Sequence, residues 1–315
     1  MASINQLSNQ NLKVLLTDIL NDQKVQYSEV LSLLNSIVKE GVTDSEYSDL
    51  KKIHDLFLGS YETKYLETIY FNTVYHNTGN AKWWGGVKFP ADVKVLGDLV
   101  ANATEDHSTK LKNEWFLGQD LPMPISGGDA ATGKTGDYAF DYAFAKGDLF
   151  DSGVQGSDIT QGQAGSCYFV AALGAIAQIK PELIKNMFTD NGNGTYGVRF
   201  FGQSGEAYTT VNLQLPTKKN GSIAFSGNNE ESLSGELWVS LAEKAYAQIN
   251  GQSGVLGRDT QFNSYQAIES GFAQPFKQIG NLNYDYYMRL NYGLPDKLYS
   301  KKIVSKDSND IKSKI

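Results

Sequence analysis

Gln161-Gly162-Gln163-Ala164-Gly165-Ser166-Cys167-Tyr168-Phe169-Val170 holds the only cysteine in a chain of 315 residues. That cysteine follows a glycine-rich turn and opens an uncharged, apolar run from Tyr168 to Ile179, ended by Lys180-Pro181. A run of this length closed by proline reads as a buried helix. Ser166 is an N-cap residue by type, which places Cys167 in the first helical turn. There the free N–H groups and the helix dipole favour an anion, and so the thiolate form of a cysteine. Gln161, earlier on the turn, can fold back and present its side-chain amide beside the sulfur. With the Cys167 backbone N–H it would make a pair of donors for an oxyanion. A lone cysteine in an apolar helix is ordinarily a small core residue. The Gln-Gly-x-x-Gly-Ser-Cys-aromatic context turns the reading towards a nucleophile, with Cys167 and Gln161 as the candidate catalytic pair.

Composition narrows the classes. The apolar fraction, 41%, supports a proper core, and the length suits two domains or one with an extension. A net charge of −7 and a pI near 5.1 argue against a nucleic-acid partner, whose phosphates need a basic face. One cysteine forms no intrachain disulfide, and Met1-Ala2-Ser3-Ile4-Asn5-Gln6 has neither the basic nor the apolar region of a secretory leader. Both features favour a cytoplasmic protein. No apolar run reaches the roughly 18 residues that span a bilayer, so no membrane association is expected.

The expected fold class is α+β. Residues 1–120 read as a helical region. Leu12, Leu15, Leu16, Ile19 and Leu20 share one face, as do Val30, Leu33, Leu34, Ile37 and Val38, and Thr43 or Asp44 can cap a third helix. Helices are also expected over 91–101 and 108–117. Residues 121–148, rich in glycine and proline, read as a linker. Residues 149–315 carry the cysteine, and in them Thr195–Leu215 alternates as a hairpin ahead of a strong helix from Glu236 to Ile249, with Glu243-Lys244 expected on its outer side. His54 and His76 lack metal-ligand spacing and read as ordinary histidines.

The linker also contains Gly128-Asp129-Ala130-Ala131-Thr132-Gly133-Lys134-Thr135, a letter-for-letter match to the phosphate-binding pattern G-x-x-x-x-G-K-T. That loop works only between a buried strand and a helix. Two prolines in Leu121–Ile125 oppose a central strand, and the residues after Thr135 lack a long helical period, so no nucleotide site is expected.

Together these motifs are specific. Gln161-Gly162-x-x-Gly165-Ser166-Cys167-Tyr168-Phe169 resembles the active-site turn of papain-superfamily cysteine peptidases. Three further segments resemble the calpain family within it: Gly235–Ala247, which reads Gly-Glu-Leu-Trp-Val-Ser-Leu-Ala-Glu-Lys-Ala-Tyr-Ala; the hairpin from Tyr196 to Thr217; and Asp158-Ile159-x-Gln161-Gly162. The resemblance covers roughly 149–287. It implies a papain-like (calpain) Cys-bearing subdomain behind an all-α N-terminal region. It also implies hydrolysis of peptide bonds within protein substrates, with calcium required. Cys167 matches the nucleophile and Gln161 the oxyanion donor. Asp158 and Glu236 match side-chain ligands of a Ca2+ ion, and the main-chain carbonyls of Asp151 and Gly153 match two more oxygens, a donor set of the hard kind calcium takes. Without the resemblance, Asp158 and Glu236 read as solvated surface acids. Ser166 and Tyr168 depart from the family, which usually has Asp and Trp there.

Thiol attack on an amide also needs a histidine to protonate the leaving nitrogen and an asparagine to orient it. The family places both after the Glu-Lys-Ala-Tyr-Ala helix. Here the histidines are His54, His76 and His107, all upstream of Cys167. Three expectations follow: a chain truncated before the His/Asn segment; an inactive calpain-like, calcium-dependent protein-interaction module; or an upstream histidine, His107, serving as base.

Overall fold

A computed structural model describes residues 3–127, 138–151, 153–258, 261–270 and 274–282. The phosphate-loop-like segment 128–135 lies outside the described residues. Helices α1 (Gln10–Ile19), α2 (Tyr27–Val38), α3 (Asp44–Phe57), α4 (Lys64–Val74) and α5 (Glu105–Leu117) form the N-terminal region. Their leucine and isoleucine faces meet in one apolar core with Tyr65, Trp115 and Phe116. Caps start them where the sequence supplies them: Asn9, Thr43, Thr63 and Thr104 each accept a first-turn N–H. The helix expected over 91–101 is not formed. Pro90–Asp92 makes a 3-10 turn, and the strand β2 (Lys94–Val95) pairs antiparallel with β1 (Lys82–Trp83). β-branched Val93 and Val95 ahead of left-handed Gly97 favour that extended path.

Residues 121–127 and 138–148, expected as a linker, are built into the fold. Leu121, Met123 and Ile125 alternate with the two prolines and are buried. Met123 donates its N–H to Asn263, and Tyr265 returns one to Met123, so the prolines occupy positions that need no donor. Strand β3 (Ile125–Ser126) pairs with β4 (Tyr138–Ala139). β5 (Asp141–Phe144) pairs with β9 (Gln214–Thr217).

The Cys-bearing half contains α6 (Cys167–Ile179), α7 (Pro181–Lys185), α8 (Trp238–Ile249) and α9 (Pro275–Gly280) around an antiparallel sheet. Its order is β6 (Phe188–Asp190), β7 (Thr195–Gly202), β8 (Gly205–Asn212). The expected hairpin is β7–β8, and the chain breaks at Leu213 before β9. α4 and α5 dock on β8. The Tyr65 hydroxyl lies 2.7 Å from Thr210 Oγ1, and the Tyr65 ring covers Gly197, where an added Cβ would sit 2.6 Å from ring carbons.

β8 is an edge strand, and α8 lies along it. Lys244 Nζ donates to the carbonyls of Asn212 (2.9 Å) and Gln214 (2.7 Å) and to Asn212 Oδ1 (2.7 Å). Gln248 donates to the Thr210 carbonyl at 2.9 Å, and Gln252 to the Tyr208 carbonyl at 3.1 Å. The spacing explains the match. Four helical residues advance about 6 Å, and two strand residues about 6.6 Å, so Lys244 and Gln248 meet successive outward carbonyls, and Gln252, just past the end of α8, reaches the next. Edge carbonyls that would invite another strand are closed by side chains. This corrects the expected outer placement of Glu243 and Lys244: both are fully buried. The apolar face of α8 meets the core, and its polar stripe meets a row of backbone acceptors.

Candidate active site

The turn before α6 is fixed from below. Thr160 and Gly227 exchange N–H···O bonds at 2.9 and 3.0 Å, and Gln163 donates to the Ala224 carbonyl at 3.0 Å. Gly162 is pressed onto the Phe225 backbone so closely that a Cβ would fall 2.1 Å from its carbonyl carbon. Phe225 itself stacks on Tyr265, with ring centroids 3.9 Å apart.

Cys167 starts α6 and is exposed, so the core reading of this lone cysteine fails. Ser166 is the N-cap, as expected, but its hydroxyl caps nothing. It donates instead to Glu243 Oε1 in α8. The Ser226 N–H (2.7 Å) and hydroxyl (2.9 Å) complete the partners of that carboxylate. Burial pushes the Glu243 carboxyl up, and the Ser166 and Ser226 hydrogen bonds pull it back. Phe169 stacks on Tyr246 with centroids 4.0 Å apart and Tyr168 meets the same ring edge-on, so the start of α6 is joined to α8 by a polar bond and by aromatic contacts next to the thiol.

Gln161 is exposed, and its amide folds back over the turn as expected. It donates to the Ala164 carbonyl at 2.6 Å and reaches Ser166 Oγ at 3.5 Å. The amide therefore closes the turn.

The 265–270 segment stands against the same turn. Tyr168 donates its hydroxyl to the Ile268 carbonyl at 2.8 Å. Arg258 bridges that hydroxyl and the Glu269 carbonyl at 2.9 Å each. Ser270 donates its N–H to the Gly165 carbonyl at 3.1 Å. Tyr168 thus uses its hydroxyl to tie the 265–270 segment to the start of α6.

The four oxygen-bearing residues expected around Ca2+ come from three segments. Residues 146–149 bond to 233–238, including Leu237 N–H to Asp148 and Trp238 N–H to Leu149. This pairing brings the Asp151 N–H to Glu236 Oε1 at 2.9 Å. Asp158 closes a 3-10 turn against α6 and accepts from the Gln155 N–H at 2.7 Å and Trp238 Nε1 at 3.3 Å. Partial burial pushes the Glu236 carboxyl up and the Asp151 N–H pulls it back, while the Asp158 and Asp151 charges push it up again. Gly153 follows with φ +99, a conformation that suits glycine. Among the described residues, no three His, Cys, Asp or Glu side chains are arranged to hold a metal ion. The expected set uses only two such side chains and completes itself with backbone oxygens.

The three histidines make their described polar contacts within the N-terminal region. His54 packs among Tyr61, Tyr70, Phe71 and Tyr75. His76 Nδ1 meets Asp98 Oδ2 at 2.6 Å on the surface. His107 Nε2 meets the Gly97 carbonyl at 3.0 Å. No described contact brings any of them to Cys167.

The exposed cysteine at a helix start comes with a pinned turn, a partner helix and a hairpin. The model of calpain family cysteine proteases matches residues 137–309, more than half of the chain, and the chain belongs to that family. It is similar to the calpain-type cysteine protease DEK1 of Zea mays, at 34% identity over 129 residues, 40% of this chain and 5% of that protein. It is similar to calpain-8 of Mus musculus at 28% over 149 residues, 45% of this chain and 21% of that protein. Against the human calpain-2 catalytic subunit the identity is 30% over 129 residues, 39% of this chain and 18% of that protein. The chain therefore spans a small part of the relatives it matches.

Proposed function

We propose that this chain carries the nucleophile half of a papain-like, calpain-type cysteine endopeptidase acting on protein substrates. The observation that carries the reading is the exposed Cys167 at the start of α6, beside Gln161 on a turn pinned by Gly162. The thiolate attacks a carbonyl carbon, and the C=O electron pair moves to oxygen. The Cys167 backbone N–H and the Gln161 amide, once it leaves the Ala164 carbonyl, are the donors assigned to that oxyanion. Its collapse gives a thioester on Cys167 if the leaving group can depart. An amide nitrogen departs only after receiving a proton, and residues 108–315 contain no histidine to give it. Peptide hydrolysis thus needs a general acid from outside this stretch.

Asp158 and Glu236, with the main-chain oxygens of Asp151 and Gly153, fit a Ca2+ ion. All are hard oxygen donors, and the carboxylates already push on one another's charge. A bound Ca2+ would neutralise that repulsion and tie the Asp158 turn, which packs on α6, to the start of α8.

The test is cleavage of an unfolded protein by the full chain with and without Ca2+, beside Cys167→Ser. The expected result is no turnover by the chain alone. Cys167-dependent turnover would overturn the claim of a missing acid, and its further loss in His107→Ala would identify His107 as the base.

A further inference from the structure

Glu114 in α5 and Asp120 just after it are buried on the seam between the helical region and the Cys-bearing half. From the other side of the seam, Gln248 of α8 and Asn263 line the same cavity, about 10 Å3 in volume, which is room for one water. The two carboxyls differ in their partners. Asp120 Oδ1 accepts from the N–H groups of Trp84 (2.6 Å) and Gly85 (2.7 Å), and its Oδ2 from Asn263 Nδ2 (3.2 Å). These donors favour the charged form. Glu114 Oε2 has no partner among the described residues. The amides across the seam offer it acceptors only. Gln248 spends its NH2 on the Thr210 carbonyl at 2.9 Å, and Asn263 spends its own on Asp120. Gln248 Oε1 and Asn263 Oδ1 are left over, also without a partner among the described residues. A carboxylate has nothing to give them, whereas a carboxylic acid has an O–H.

No described cation relieves the pair. On α5 itself Lys110 meets Asp106 at 2.6 Å and Lys112 meets Asn35 at 2.8 Å. Lys82 of β1 stands over the Trp84 ring, 5.5 Å from its centre, and Lys244 of α8 donates to Asn212 and Gln214. Asp98, joined to Trp115 through Asn80, is held by His76. Tyr142 of β5 donates its hydroxyl to the Pro122 carbonyl at 2.6 Å. Burial pushes the Glu114 carboxyl well above its ordinary range, and the Asp120 charge adds to the rise. Burial pushes Asp120 up to about 7 against the pull of its donors.

We propose that Glu114 is a neutral carboxylic acid at neutral pH, donating to the leftover amide oxygens of Gln248 and Asn263 directly or through one water, and that losing this proton loosens the seam, making the pair a pH-sensitive latch between the two regions. The sign follows from linkage. Opening returns Glu114 to its ordinary, lower value, so the latch is fully present at low pH and is lost as pH rises through the folded value. The latch uses no residue of the Cys167 site and stands independently of the function proposed above.

The test is hydrogen exchange of the full chain at pH 7 and pH 9, corrected for the intrinsic pH dependence of exchange. It compares segment 82–87, which holds the two N–H groups bonded to Asp120, with segment 47–57 inside α3. In the wild-type chain the 82–87 segment should exchange at least tenfold faster at pH 9, and 47–57 should not follow. In Glu114→Gln, isosteric with the acid and a permanent donor, the change should stay below threefold, because Asp120, titrating near 7, contributes only about twofold over this range. An equal acceleration in both segments would mean global unfolding and overturn the latch, as would a Glu114→Gln chain that responds to pH like the wild type. If Glu114→Gln does not fold, the wild-type chain still decides: exchange at 82–87 that is flat between pH 7 and pH 9 rules the latch out.

Discussion

The Ser166 hydroxyl donates to the Glu243 carboxylate, joining the residue before the nucleophile to the buried middle of α8. The Cys167 helix is therefore positioned by a polar bond through the core as well as by its apolar face. Burial pushes the Glu243 carboxyl up, and the donors from Ser166 and Ser226 counter that rise.

Ser166→Ala removes one of those donors. A buried acceptor deprived of a partner costs about 1–3 kcal/mol. The pH dependence has a definite sign. The folded Glu243 carboxyl already titrates above its usual range, so its contribution to stability is present at low pH and is lost as pH rises through the folded value. Losing the Ser166 donor moves that value further up. Urea unfolding should therefore show a larger deficit for Ser166→Ala at pH 8 than at pH 5; a deficit that shrinks with pH would contradict the bond.

Gln252→Leu tests the ladder between α8 and the β8 edge. It strips the Tyr208 carbonyl of its donor and should destabilise by about 1–3 kcal/mol. Gln178→Leu, on an exposed face of α6, should stay within about 0.5 kcal/mol. Equal effects in the two variants would mean that the ladder adds no stability.

Gly162→Ala puts a methyl group where the Phe225 backbone lies. The Gln161–Cys167 turn must lift, with a loss of more than about 2 kcal/mol by analogy with other overpacked sites. The iodoacetamide rate of Cys167 should change with it, since the sulfur is placed by that turn. An unchanged rate in a stably folded variant would show that the turn does not set the thiol.

Much of this site is legible in the sequence because it is local. Ser166, Cys167 and Gln161 lie within one turn, and the glycines, the apolar run and Pro181 mark the start and end of its helix. The hairpin is legible from alternation and the Gln203–Gly205 turn. What escapes a linear reading is set by partners far away along the chain. Lys244 and Gln248 look like an outer face until β8 supplies a row of carbonyls at matching spacing. The polar residues at 244, 248 and 252 repeat every four, and that period is the one signal that hinted at it. Leu121–Ile125 reads as a linker because two prolines oppose a central strand, yet Met123 between them pairs with Asn263 and Tyr265.

The most direct test of the account separates oxyanion formation from leaving-group protonation. A p-nitrophenyl ester expels an anion that needs no proton, so Cys167 and Gln161 suffice for acylation even where an amide stalls. The full chain should release one equivalent of p-nitrophenolate in a burst. Cys167→Ser should abolish the burst. Gln161→Ala should slow it on the order of 10- to 100-fold, below or at the low end of a lost oxyanion donor, because the Cys167 N–H remains. Iodoacetamide alkylation, which passes through no oxyanion, should be unchanged by Gln161→Ala. No Cys167-dependent burst, or a burst untouched by Gln161→Ala, would contradict the assignment of this turn as a nucleophile with its oxyanion donor.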